Sequence, residues 1–169
     1  MGPQSLVALH KLQAVETKLR GLKDQLRRKD RHLQQHRLRL KQLEDQLASR
    51  QEEIKKRKTQ VAQLELDFKA KEADVAKLRT QLNAAKNNKE YSAILTQLNT
   101  ERADNAKLEE KILEEMTAID QMGNSVVEME KAIEVQRKDL ATEEEASQEV
   151  RQELQRQIDA LETERSTVA

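Results

Sequence analysis

His32 and His36 stand four residues apart, the spacing that places two imidazoles on one face of an α-helix and makes half of a divalent-cation site. No acidic residue or third histidine stands at matching spacing beside them, and His10 is isolated. The pair therefore reads as the edge of a helix–helix seam, with no metal ligand assigned. The chain has no cysteine, which removes thiolate ligands, disulfides and cysteine nucleophiles together. Serines, histidines and carboxylates are strung along helical sequence with no pocket in which to converge, and no glycine-rich phosphate loop interrupts it. The expectation is a protein that is not an enzyme and carries no cofactor in this chain.

Two basic runs offer a different chemistry. Arg27, Arg28, Lys29 and Arg31 form one, and Lys55, Lys56, Arg57 and Lys58 the other; clusters of this kind contact phosphates without sequence preference. No aromatic residue interleaves them to stack on bases, so solvated helix faces are the simpler reading and nucleic-acid binding the alternative. Met116, Met122 and Met129 resemble an adaptable recognition surface, but Met122 and Met129 fall in phase with the seam and read as core. Glu143, Glu144 and Glu145 read as a solvated stretch opposite basic sequence.

The elements that carry these residues follow from periodicity. Leu12, Leu19, Leu26, Leu33, Leu40, Leu47, Ile54, Val61, Phe68, Val75 and Leu82 recur every seven residues. A straight α-helix drifts against that repeat, so so long a stripe demands a left-handed supercoil with a partner helix. A second ladder runs Tyr91, Leu98, Asn105, Ile112, Ile119, Val126, Ile133, Leu140, Ser147, Leu154, Leu161 and Val168, out of phase with the first. Composition agrees: 37% charged residues with one Phe, one Tyr and no Trp leaves too few bulky side chains for a wide core, though enough for a narrow seam.

The charge is unevenly spread although the net is zero. Residues 1–60 carry sixteen basic and seven acidic side chains, and residues 101–169 carry nine basic and nineteen acidic. Folding back lays opposite charges side by side, whereas a parallel homodimer aligns like with like, so the pattern favours a hairpin. The expected fold is all-α, a single long antiparallel two-helix coiled-coil hairpin over residues 1–169, with helix one at about 5–85, a tip at 86–90 and helix two at about 89–167. At the tip an asparagine is expected to end helix one in the left-handed conformation, and Asn87 with Glu90 has capping-box spacing for helix two.

Pairing residues whose numbers sum to about 176 brings complementary seam positions together. Phe68 then meets Leu108, Leu64 meets Ile112, Leu43 meets Ile133 and Leu22 meets Leu154, while Lys71 faces Asn105 and Lys29 faces Ser147. The second seam position of helix one is irregular, with Lys29, His36, Arg50, Arg57 and Lys71 among its apolar residues. Their methylenes are expected to lie across the seam with the charges in solvent. Gly123 invites a bend in helix two.

The tip segment Lys86-Asn87-Asn88-Lys89-Glu90-Tyr91-Ser92-Ala93-Ile94-Leu95 resembles the hairpin-tip signature of the bacterial C4-type zinc-ribbon proteins formerly grouped as DUF164. The opening Leu6-Val7-Ala8-Leu9-His10-Lys11-Leu12-Gln13 is similar to that family's start. The resemblance implies a long N-terminal helical hairpin before a four-cysteine ribbon, and Lys89, Glu90 and Tyr91 as motif residues. This chain has no cysteine, so zinc is expected only where a ribbon follows it. The resemblance further implies a bacterial cytoplasmic adaptor linked to nucleic-acid binding, to alternative sigma factor 54 and to flagellar or secretion gene control.

The reading is thus an adaptor or chaperone-like module that binds a protein partner through Asn87, Asn88, Lys89, Glu90 and Tyr91 and the exposed seam. The alternatives are a nucleic-acid-binding module and a structural spacer or dimerisation rod, the last as a homodimer. No apolar run is long enough to span a membrane and the opening lacks the layout of a signal peptide, so a soluble, cytoplasmic protein is expected.

Overall fold

The structure, a computed structural model, describes residues 2–168. It consists of two helices, α1 (Pro3–Asn83) and α2 (Asn88–Val168), of 81 residues each, packed against one another as an antiparallel hairpin. By contact the chain divides into two units, one made of the chain up to Asp45 and from Lys131 onward, the other of Gln46–Glu130.

In the first unit Val15, Leu19 and Ile158 form a buried cluster, flanked by the half-buried Leu22 and Leu161. Leu33, Ile133, Leu140 and Leu154 are also buried there. The second unit buries Val61, Leu78, Leu98, Ile112, Met122 and Val126. Every member of the first heptad ladder is buried or half-buried, and so is the second ladder from Leu98 to Leu161. The side chain of Val168 lies outside the described residues. Among the described residues no polar side chain is fully buried, as expected of a two-helix seam whose edges meet water.

One stretch leaves the simple repeat. Continuing the phase of Met122, Met129, Gln136 and Glu143 brings Val150 and Gln157 to the seam, yet Val150 is 37% exposed and Gln157 is exposed. Ile158 is the buried residue instead, at 3% exposure. The seam beyond Ser147 thus runs through Leu154, Ile158, Leu161 and Arg165. A shift by one position lets the helix follow its natural period of about 3.6 residues and keeps an isoleucine rather than a glutamine against α1.

α2 continues without a break through Gly123, and α1 through Gly21. Neither glycine has a positive φ, and a Cβ at either meets nothing within 4 Å. The helix is therefore not interrupted at Gly123, the cost of about 1 kcal/mol for a glycine in a helix interior being small beside the hydrogen bonds of an 81-residue helix.

Candidate functional site

The tip is built by its own hydrogen bonds. The Ala84 amide donates to the Thr80 and Gln81 carbonyls, both at 3.2 Å, and the Ala85 amide to Leu82 at 3.3 Å, tightening the last turn of α1. Asn87 then caps α2: its side-chain oxygen accepts from the Glu90 amide at 2.8 Å and its carbonyl from the Tyr91 amide at 3.0 Å. The Glu90 carboxylate reaches back to the Lys86 amide at 3.1 Å and sits in the first turn, where the helix dipole favours a negative charge.

Asn87 caps α2 as its spacing to Glu90 implies, while Glu90 reaches the Lys86 amide rather than the Asn87 amide of a strict capping box, and the helix boundaries move. α1 ends at Asn83 rather than about 85, and α2 starts at Asn88 rather than about 89. The left-handed asparagine is absent: no described residue has a positive φ. The side chains of Asn87 and Glu90 satisfy the tip amides, so the chain reverses without that strained conformation.

Asn87, Asn88, Lys89, Glu90 and Tyr91 are all exposed. Tyr91, placed by the heptad ladder in the seam, is 47% exposed, and Leu98 is the first buried seam residue of α2. The tip therefore presents an aromatic ring, two amides and both signs of charge within five consecutive positions, on a backbone fixed by caps.

The basic runs are displayed unequally. Arg28, Lys29 and Arg31 are exposed and have no ion pair among the described residues, while Arg27 pairs with Asp24 at 3.6 Å. Lys55, Lys56 and Lys58 are exposed and have no ion pair among the described residues; Arg57 is half-buried and pairs with Glu115 at 3.4 Å and Glu53 at 3.8 Å.

Basic residues at seam positions do more than lay methylenes across it. Lys29 and Arg50 remain exposed, but His36, Arg57 and Lys71 each meet a carboxylate of α2. Beside Asn105, the Lys71 ammonium binds carboxylates of α2, Glu101 at 2.8 Å and Asp104 at 3.7 Å. The hydrogen bond to Glu101, followed by the nearby carboxylates, holds the ammonium above the ordinary lysine value. Asn105 Oδ1 is left buried without a partner. On the flanks, Arg37–Glu144, Glu44–Arg137 and Lys23–Glu162 are half-exposed pairs contributing about 0–1 kcal/mol each, which selects register more than it holds the fold.

The histidine pair has the partner that local spacing did not supply. Glu143 of α2 takes His32 Nδ1 on one oxygen and His36 Nδ1 on the other, the latter at 2.7 Å. His36 Nε2 faces the Gln136 side-chain oxygen at 3.0 Å. Glu143 lies 107 residues from His36 in sequence, so no local window contains both. The missed signal was seam phase, since Met122, Met129, Gln136 and Glu143 are seven apart. Among the described residues no group of three or more His, Cys, Asp or Glu side chains is placed to hold a metal ion.

Fold and tip together define an antiparallel coiled-coil hairpin with a capped, exposed apex. No protein-family profile and no curated protein matches the chain. Among solved structures, the 2.12 Å structure of CT398 from Chlamydia trachomatis is similar, with a TM-score of 0.86 at 15% identity over 96% of this chain and 69% of that one. At that identity the likeness is one of fold. Among the described residues no helix is long and apolar enough to cross a membrane.

Proposed function

We propose that the chain is a non-enzymatic adaptor or chaperone-like module that grips a protein partner through its tip. The observation that carries this reading is Tyr91, 47% exposed beside a reversal already rigid through the Asn87 and Glu90 caps. An exposed aromatic on a pre-ordered element contributes contact area at low entropic cost. The resemblance of residues 86–95 to the zinc-ribbon family's tip signature supports a bacterial regulatory setting, with sigma factor 54 or flagellar and secretion gene control as the field in which to seek the partner.

Tyr91→Ala removes the ring without touching either cap. A lysate capture in which the wild-type chain retains a defined protein is expected to lose it with this variant, while helicity by circular dichroism is unchanged. Undiminished capture would refute a tip-borne contact.

A second reading, nucleic-acid binding, is favoured by Lys55, Lys56 and Lys58 and by Arg28, Lys29 and Arg31, all exposed and without an ion pair among the described residues. It predicts retention on RNA or DNA that weakens steeply and linearly in log–log form with salt, and that charge reversal of Lys55, Lys56 and Lys58 reduces the slope. Absence of retention at low salt ends this reading.

A further inference from the structure

We propose that the layer formed by His32, His36, Gln136 and Glu143 is a proton-operated clamp between α1 and α2, closed when His36 carries both ring protons and loosened when one leaves. The two nitrogens of His36 each face an oxygen: Nδ1 the Glu143 carboxylate at 2.7 Å, Nε2 the Gln136 amide oxygen at 3.0 Å. Neutral imidazole has one N–H, so only imidazolium donates to both. The ring is 12% exposed and occupies the seam position that Val15, Leu22, Leu43, Leu64 and Leu78 fill with apolar side chains in other layers. Glu143 binds His32 with its second oxygen, so one carboxylate ties two histidines a helical turn apart.

The surrounding charges leave this carboxylate to the histidines. Arg37 is taken by Glu144 at 2.8 Å, Arg137 by Glu44 at 3.1 Å, and Asp30 by Arg151. Arg39 on α1 opposes the imidazolium, and Arg28 and Lys29 share the groove lined by His32 and Glu143. The Glu143 and then the Gln136 hydrogen bond nevertheless hold the His36 pKa above its ordinary 6.5. The His36 bond, ahead of that from His32, holds Glu143 below its ordinary 4.5.

A raised histidine contributes stability that is complete below its unfolded pKa and is lost as pH rises through the folded value. A depressed carboxylate contributes stability present above its unfolded pKa and lost as pH falls through the folded value. The clamp is therefore tightest between about pH 4.5 and 6.5 and loosens as pH rises through the raised His36 value. On proton loss the His36 Nε2 lone pair opposes the Gln136 oxygen until the amide turns over.

The test is hydrogen exchange on the full chain at about pH 5.5 and about pH 8, expressed as protection factors, with an NMR titration of the imidazoles. All three histidines precede Asp45, so residues 46–130 serve as internal reference. Protection over residues 28–40 and 136–147 is expected to fall several-fold at the higher pH relative to that reference. His36 should titrate above 6.5 in the wild type and lower in Glu143→Gln. His36→Leu, which restores an apolar seam residue and so stays folded, should remove the pH dependence. Protection independent of pH in the wild type, a His36 midpoint at or below 6.5, or a pH dependence that survives in His36→Leu, overturns the clamp.

Discussion

Leu98→Ala is expected to lower the unfolding free energy by about 2–3 kcal/mol, read as a reduced urea midpoint at unchanged slope. Leu98, at 2% exposure, is the most buried side chain among the described residues and the first complete core layer of α2 below the tip. Truncation removes roughly three methylene equivalents from apolar surroundings, at about 0.8 kcal/mol each. A full cavity term would add more in a globular core, but a two-helix seam is one side chain deep and water or neighbouring methylenes can refill it. The cost therefore lies near the transfer value rather than at the upper end of the Leu→Ala range. Leu113, on the same helix and exposed, is the control, and its Ala variant should stay within about 0.5 kcal/mol of wild type. A Leu98→Ala cost equal to that of Leu113→Ala would mean that the seam does not carry the stability of this unit.

Much of the architecture was legible because a strict heptad has few structural meanings. The break in phase between Leu82 and Tyr91, together with opposite charge on the two halves, leaves folding back as the consistent solution, and the helices do fold back there. Asn87 and Glu90 were legible as caps because their partners lie three or four residues away. Tyr91 falls in the ladder's phase and at the tip alike, and it is half-exposed because the ladder counts positions and not the partner that must cover them; at the apex α1 has already ended. Glu143 was missed for a related reason: its role depends on His32 and His36, which the hairpin brings alongside from the other helix. The carboxylates that Lys71 binds, Glu101 and Asp104, were not read from the ladder either, since a long flexible ammonium reaches past its own layer to charged partners on the facing helix.

The phase shift beyond Ser147 gives the sharpest test of the seam itself. Ile158→Asp is expected to cost at least about 4 kcal/mol, combining a lost core isoleucine with a carboxylate set against Val15 and Leu19. Gln157→Asp, one residue earlier, should cost no more than about 1 kcal/mol, chiefly through the lost bond to Glu153 and the added like charge. An uninterrupted heptad predicts the reverse order, because it places Gln157 in the seam and Ile158 at its edge. The structure places Ile158 at 3% exposure and leaves Gln157 exposed, so the two substitutions separate the alternatives by more than their uncertainty. Thermal unfolding followed by circular dichroism reads both, with exchange over residues 12–22 and 154–161 locating the effect. Equal costs, or a larger one at Gln157, would return the seam to the unbroken repeat and remove Ile158 from the core of this unit.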